Sequence, residues 1–473
     1  MTSPAPPRKK QTVAASAARR LARFVVGLSL DRVPEPVTAK AALLALDTLG
    51  NALAAAREDF GVAVLGVAER LGGAAESALL SRRARVATAN AVLANATLAH
   101  GLDFDDTRED AIVHTGCVAV TTALAAGEAV GAGGRGVLEA LIAGVEVMCR
   151  VGLAVPGALH ARHFHPTSIT SSFAAAAATA KLHKLSEDQL VHAFGICGSQ
   201  AAGVIEYLAD GSWTKRLHPG WGAHAGVIAT LLAREGFTGP ATVLEGEHGL
   251  YAAFAGGHAG GRLDALLDGL GQTWELEELT LKPYPCGSIA QPYMDCAVRL
   301  RERVKPQEIV AIRCRTAAGP VPRLWEPLAA KHAPPNGYAA KFSLPYLLAT
   351  ILVRGRAGLA EFDDAAVREP AVLDVARRVS YELDATIDYP RQFVGDVEIT
   401  LADGRSLRER QDRPRGGPDA PLTRTEIEAK FRGNAGLALP PDKVEAAIRA
   451  VDGLATGAPL AELLASLTPE RTR

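Results

Sequence analysis

Small and apolar residues recur at helical spacing through most of the first half of the chain. Leu43, Leu44, Leu46 and Leu49 show this pattern, and Pro36 stands where a helix would begin. Similar segments predict helices over residues 86–98, 118–130, 137–151, 173–182 and 227–233. Because Ala and Gly let helices approach closely, and no repeat of fixed period occurs, the pattern predicts a dense helical bundle rather than a solenoid.

After Trp274 the pattern changes to alternating apolar and polar residues. Strands are predicted over residues 309–316, 378–382 and 396–401, with helices over 293–303 and 342–353 between them. Asp403 and Gly404 mark a hairpin turn after the clearest strand. Residues 405–421 are charged and rich in Gly and Pro, which predicts an exposed connection.

The last helical segment begins near Thr423 and Glu426, whose spacing fits a capping box. We interpret this return to a helical pattern as the completion of the first unit. The predicted fold is therefore mainly α, with a large all-helical domain over residues 12–273 and 418–473. A smaller α+β lid domain, over residues 274–417, is inserted between the two parts of the helical domain.

The chain has 473 residues, of which 48% are apolar and 22% charged, and 51 Lys and Arg balance 52 Asp and Glu. This composition predicts a soluble globular protein without a nucleic-acid or membrane partner. Residues 1–11 predict a disordered tail, and the apolar run over 24–30 is too short for an export signal. None of the six cysteines forms a CxxC pair, which predicts a cytoplasmic location without disulfides or a zinc ribbon.

Three carboxylates, Asp103, Asp105 and Asp106, follow the predicted helix over residues 86–98. That helix carries almost no charge, so we expect it to be buried. Carboxylates at its buried end are costly unless they have partners. A solvated loop that ends the helix is the alternative interpretation of the acidic triplet taken alone.

Two further segments offer candidate chemistry. His163 and His165 have the spacing of a metal pair on a strand, but no third ligand is evident, so an acid–base histidine before a helix is favoured over a metal site. Glycines flank Lys215, Arg216 and His218, which predicts either a flexible anion-binding segment or an exposed basic turn. The glycine spacing of a P-loop is missing.

Several segments together resemble the MmgE/PrpD family, whose members act on small polycarboxylates. They are HGLDFDDT at 100–107, HFHPTSITSSFAAAAATAKL at 163–182, DGSWTKRLHPGWGAHAGVIATLLAREGFTGPATVLEG at 210–246, LKPYPCGS at 281–288 and AAKFSLPY at 339–346. The resemblance implies a helical domain completed by the C-terminus, a smaller lid and a homodimer. It also implies an active site between the domains that needs neither a metal nor an organic cofactor.

The resemblance also implies roles for individual residues. Catalytic roles fall on Asp103, His114, His165 and Lys215. With His218 added from the basic segment, the expected substrate contacts are Thr107, Lys215, His218, Lys282 and Gln291. Gly287 and Gln291 depart from positions where relatives carry histidine, and the loss of an imidazole at 287 counts against decarboxylation.

The chemistry implied for this family moves a proton at a carbon beside a carboxylate. Lys215 would neutralise that carboxylate, His165 or Asp103 would take the proton, and His114 or the other member of the pair would protonate a leaving hydroxyl. We therefore expect a cofactor-independent lyase that hydrates or dehydrates a small di- or tricarboxylate. A decarboxylase or an epimerase on a similar polycarboxylate is the first alternative, and a non-catalytic carboxylate-binding protein is the second.

Overall fold

The computed structural model describes residues 16–257, 259–389 and 392–469. The predicted tail over residues 1–11 lies outside these ranges. Within them the structure is mainly α with a smaller α+β part, which confirms the predicted fold class. No helix in the described ranges is long and apolar enough to cross a membrane.

The first part of the chain is a bundle of helices. These are α1 (Ala17–Gly27), α2 (Glu35–Ala55), α3 (Asp59–Leu71), α4 (Thr88–His100), α5 (Gly116–Ala129), α6 (Gly134–Leu153), α7 (Ala158–Ala161), α8 (Pro166–Leu182), α9 (Glu187–Gln200), α10 (Thr214–Arg234), α11 (Leu250–Phe254) and α12 (Gly260–Asp268). A short antiparallel pair, β1 (Ser77–Ala78) and β2 (Arg85–Val86), precedes α4. The Ala-rich α8 is buried along almost its whole length and packs against α5, α6, α9 and α10.

The structure corrects the prediction of a flexible segment around Lys215. Residues 214–234 form the single helix α10, with Pro219 inside it. A Cβ atom added at Gly220 would lie 2.2 Å from the carbonyl oxygen of Leu93 on α4, so the glycine there permits close helix packing. Gly220, which suggests a break in the helix when only the sequence is considered, is therefore a contact point between α10 and α4.

The second part of the chain is α+β. Its helices are α13 (Gln291–Arg301), α14 (Val321–Leu324), α15 (Leu328–His332), α16 (Gly337–Ala340), α17 (Leu344–Arg354) and α18 (Pro370–Ala376). Its strands are β3 (Ile309–Thr316), β4 (Val379–Leu383), β5 (Gly395–Leu401) and β6 (Ser406–Gln411). The sheet order is β4-β3-β5-β6, with β3 and β4 parallel and the other pairs antiparallel.

Strand β6 corrects the predicted exposed connection over residues 405–421. It pairs with β5 across the hairpin turn at Asp403 and Gly404. Arg408 and Arg410 on β6 both reach the buried carboxylate of Asp396 on β5. Charged side chains are typical of edge strands, where they discourage pairing with other molecules, and they conceal the strand in the sequence.

The chain then returns to the helical bundle through α19 (Arg424–Ala435), α20 (Pro441–Gly453) and α21 (Leu460–Ser466). Thr423 caps α19, and Glu426 bonds back to the Thr423 amide, as the capping box predicts. One large hydrophobic core joins residues 17–281 with 422–467, and a second contains residues 284–401. The boundaries at 274 and 417, and a lid function for the second part, stay predictions.

Candidate active site

Asp103 lies in the turn that follows α4, and two lysines from distant parts of the chain contact its carboxylate. The Nζ atoms of Lys215, on α10, and Lys282 each donate to Asp103 Oδ1 over 3.1 Å. Lys282 Nζ also donates to the main-chain oxygen of Asp103 over 3.0 Å. Asp103 has a left-handed backbone, φ 58°, so Lys282 holds both its side chain and its unusual turn.

The electrostatics of this cluster favour an anionic ligand. Burial alone would raise the pKa of Asp103, but Lys215 and Lys282 hold it well below its ordinary value. Burial opposes the charge on Lys215, yet Asp103 raises the pKa of that ammonium group above its ordinary value. Two ammonium groups facing one carboxylate leave an excess positive charge, which an incoming carboxylate would balance.

The other two carboxylates of the acidic triplet have different partners. Asp105 Oδ2 accepts from His100 Nδ1 over 2.7 Å, and both side chains are fully buried. Asp106 accepts from the amides of Thr115 and Gly116 at the start of α5, where it acts as a helix cap. All three carboxylates are therefore buried and partnered, as the uncharged helix before them predicts.

His114 lies beside this turn, with its ring fixed by the backbone. Its Nδ1 donates to the carbonyl oxygen of Asp106 over 2.6 Å and lies 3.3 Å from Thr107 Oγ1. Thr107 also pairs with the backbone of Thr280 and lies 3.5 Å from Ser288 Oγ. In the neutral ring, a proton on Nδ1 leaves the lone pair on Nε2, so His114 is suited to accept a proton.

The imidazoles of His165 and His218 form a pair. Their Nδ1 atoms lie 3.0 Å apart, and the ring of His100 lies 5.6 Å from that of His165. His165 is buried at the start of α8, whereas His163 is exposed, so the two do not form the metal pair that their spacing allows. A cavity of about 480 Å³, lined in part by Gly203, Tyr207 and His218, opens beside this pair.

These imidazoles are held in the neutral form. Burial, followed by neighbouring positive groups, lowers the pKa of His165 well below its ordinary value. Burial also lowers the pKa of His114 to about 3 and that of His218 to about 4. A neutral imidazole has the free lone pair that a general base requires, and the negative charge of an incoming carboxylate would raise its pKa towards neutral pH.

The segment that contains Lys282 is fixed from behind by Gln291. The Nε2 atom of Gln291 donates to the carbonyl oxygens of Tyr284 and Cys286 over 3.0 and 3.1 Å. Gln291 is fully buried, and its Oε1 has no partner among the described residues. Cys286 is also buried, and burial raises the pKa of its thiol, which disfavours a nucleophilic role.

Sequence reasoning missed three groups that surround the acidic turn. His100 forms the buried pair with Asp105 described above. Lys341 Nζ donates to the carbonyl oxygen of Leu102 over 2.5 Å, and burial lowers its pKa to about 8. A lone lysine within the otherwise apolar segment at 339–346 is the signal that could have identified Lys341.

The third missed group is Lys430 on α19, which supports the turn from behind. Its Nζ donates to the main-chain oxygens of Phe104 and Lys282 over 2.7 and 3.0 Å. It also lies 2.6 Å from the buried Asp47 Oδ1 on α2. Lys282 and Lys430 thus each donate to a main-chain oxygen of this turn, Lys282 to that of Asp103 and Lys430 to that of Phe104.

His100, Asp105 and Cys117 bring ligand-type atoms within 4.8 Å of one another, the one such group found in the described ranges. Each residue already makes one hydrogen bond: His100 Nδ1 donates to Asp105 Oδ2, and the Cys117 thiol donates to the carbonyl oxygen of His114. His100 Nε2 and Asp105 Oδ1 have no hydrogen-bond partner among the described residues. Burial raises the pKa of Cys117 well above its ordinary value, so the thiolate that a metal requires is disfavoured. The group fits a histidine–aspartate pair better than a metal site.

Residues 19–261 match the model of the MmgE/PrpD N-terminal domain, and residues 284–456 match that of the MmgE/PrpD C-terminal domain. The chain therefore belongs to the MmgE/PrpD family.

Curated relatives are identical to this chain at about a quarter of the aligned positions. A cis-aconitate decarboxylase-like protein, oryM, of Aspergillus oryzae is 27% identical over 80% of this chain and 82% of its own. The cis-aconitate decarboxylase of Aspergillus terreus is 25% identical over 94% of this chain and 95% of its own. That of Homo sapiens is 28% identical over 77% of this chain and 76% of its own.

Proposed function

We propose that this protein is a lyase that moves a proton at the carbon beside a carboxylate of a small di- or tricarboxylate. The observation that carries the proposal is the contact of Asp103 with both Lys215 and Lys282, next to buried neutral imidazoles. A carbanion beside an ionised carboxylate is unstable unless nearby positive groups balance its charge. The two ammonium groups are suited to that task.

The residues divide the proton transfers between them. Lys215 would bind the substrate carboxylate and stabilise the negative charge that develops on it in the transition state. His165 or Asp103 would take the carbon-bound proton, with the imidazole favoured because Lys215 and Lys282 already hold the Asp103 carboxylate. His218, whose Nδ1 lies 3.0 Å from that of His165, would protonate a leaving hydroxyl from its Nε2, and the hydroxyl departs as water. His114 is the alternative donor once its own Nε2 has accepted a proton. Thr107 would orient the substrate by hydrogen bonding.

Decarboxylation is the second candidate, because the curated relatives named above are cis-aconitate decarboxylases. Loss of carbon dioxide produces the same kind of carbanion, which then needs a proton rather than a leaving group. Gly287 stands where the family resemblance places an imidazole, so we favour hydration and dehydration. A homodimer and a cytoplasmic location also remain proposals.

The test is a screen of hydroxy- and unsaturated di- and tricarboxylates with the full chain in deuterated buffer, followed by NMR. We expect deuterium at the carbon beside a carboxylate and interconversion of a hydroxy acid with its unsaturated partner. Release of carbon dioxide without hydration would favour the second candidate. The variant His165→Gln should lose exchange, whereas the matched variant His224→Gln, outside the cluster, should keep it. Tight binding without any exchange would instead indicate a catalytically silent binding protein.

A further inference from the structure

Arg216 follows Lys215 on α10, and two aromatic rings hold its guanidinium group. Its Cζ atom lies 4.3 Å from the centre of the Phe60 ring and 4.8 Å from that of the Tyr338 ring. Phe60 belongs to α3 in the helical bundle, and Tyr338 belongs to α16 in the α+β part. The guanidinium group is therefore fixed at the junction of the two parts of the molecule.

This guanidinium group has no polar partner within the described ranges. No hydrogen bond or ion pair joins the Arg216 side chain to residues 16–257, 259–389 or 392–469, although it is half-buried. Glu58 and Asp103 lie near enough for their charges to act on it, but neither forms an ion pair with it. Other buried arginines differ: Arg150, for example, bonds to Glu146 and to two carbonyl oxygens. Five N–H donors of Arg216 are thus left for another molecule or for water.

The position of Arg216 on its helix adds to this argument. Arg216 and Lys215 both lie in the first turn of α10, where the positive end of the helix dipole disfavours cations. Consecutive residues on a helix do not face each other, so the two side chains serve separate groups. Lys215 is engaged by Asp103, whereas Arg216 lies between the rings with its donors free. An anion that binds both Lys215 and Arg216 would offset the positive charge that accumulates at this end of α10.

We infer that Arg216 binds a second carboxylate of the ligand, apart from the one that Lys215 receives. A planar guanidinium matches a carboxylate with two parallel hydrogen bonds, and the flanking rings fix its plane before the ligand arrives. The site would therefore select di- and tricarboxylates over monocarboxylates. This inference rests on the proposed function only in that the ligand is a polycarboxylate.

The test measures binding by isothermal titration calorimetry to tricarballylate, glutarate and butyrate, which carry three, two and one carboxylates. The wild-type chain should bind glutarate at least about tenfold more tightly than butyrate. Arg216→Gln should weaken the binding of glutarate and tricarballylate by about 10- to 100-fold, the size of a lost hydrogen bond to a charged group, and change butyrate by less than about twofold. The affinity of Arg216→Lys for glutarate and tricarballylate should lie between those of the wild type and of Arg216→Gln. Arg234→Gln, at the other end of α10, is the matched control and should bind as the wild type does.

Two outcomes would overturn the inference. An equal loss for all three ligands in Arg216→Gln would mean that Arg216 only joins Phe60 to Tyr338. A wild-type chain without preference for glutarate over butyrate, including one that binds neither, would remove the second carboxylate site. The proposed function is tested separately, because selective binding without turnover would reject the lyase and keep the Arg216 site. Turnover without a preference for glutarate over butyrate would support the lyase and reject the Arg216 site.

Discussion

The imidazoles of His165 and His218 share a hydrogen bond between their Nδ1 atoms, which lie 3.0 Å apart. When both rings are neutral, only one of them can donate the proton of that bond. The donor ring then carries a lone pair on Nε2, and the acceptor ring carries a proton there. The pair therefore presents one base and one weak acid side by side, which are the two groups that a dehydration requires.

Replacement of His165 by Ala should lower kcat by about 10²- to 10⁴-fold, the usual contribution of one positioned acid or base. The measurement is the initial rate on the substrate found by the NMR screen, with circular dichroism to check folding. His224→Ala, on α10 but outside the cluster, serves as the control. Near-wild-type turnover in a folded His165→Ala chain would exclude His165 from the chemistry.

The lowered pKa of His218 predicts a pH dependence of stability. Burial lowers this pKa to about 4, whereas an unfolded chain has a histidine pKa of about 6.5. Between these values the unfolded chain binds a proton that the folded chain does not, so the free energy of unfolding falls as the pH drops. His218→Gln should reduce the loss between pH 7 and pH 5 by on the order of 1 kcal/mol, as measured by urea unfolding. An unchanged loss would show that the pKa of His218 is not lowered in the folded chain.

Lys282→Met should destabilise the fold strongly. It leaves Asp103 with Lys215 as its one ammonium partner in the described ranges and removes the bond to the Asp103 main-chain oxygen. Breaking a buried ion pair typically costs about 3–5 kcal/mol, which urea unfolding would measure. The double variant Asp103→Asn with Lys282→Met should recover part of that loss, because it no longer buries an underpaired carboxylate. If the double variant is less stable than Lys282→Met, the pairing argument is wrong.

Gly287→His should be tolerated and should shift the reaction towards decarboxylation. Gly287 has an ordinary φ of −58°, and an added Cβ would meet the Phe342 ring at 3.4 Å, an ordinary contact distance. A new proton donor there should raise carbon dioxide release from an unsaturated tricarboxylate by about 10²-fold, at the lower end for a positioned acid. Gly287→Asn adds a side chain without an imidazole and is the control. Equal rates in the two variants would deny the imidazole any role.

Local signals made much of the fold predictable. Pro36 at the start of α2 and the capping box at Thr423 act within one turn of helix, so the sequence displays them directly. Strand β6 and the start of α10 were not predictable in this way. The charges of β6 resemble those of a loop, and Gly220 is needed only because α4 packs against it at that point.

The candidate site shows the same division. The cost of burying Asp103, Asp105 and Asp106 is evident from the uncharged helix before them, so their need for partners could be predicted. Lys282, which lies 179 residues further along the chain, entered only through the family resemblance, because spacing cannot show so distant a contact. His100 was missed because its pairing with Asp105 depends on how the turn after α4 folds back.

Lys430 lies on α19, near the C-terminus, yet it fixes the main chain on both sides of the Asp103–Lys282 contact. During synthesis every other part of this cluster leaves the ribosome before Lys430 does. The nascent chain therefore cannot complete the contacts of this turn until α19 has been synthesised. A truncation that removes α19 would abolish activity, even though it leaves in place every residue assigned to the chemistry.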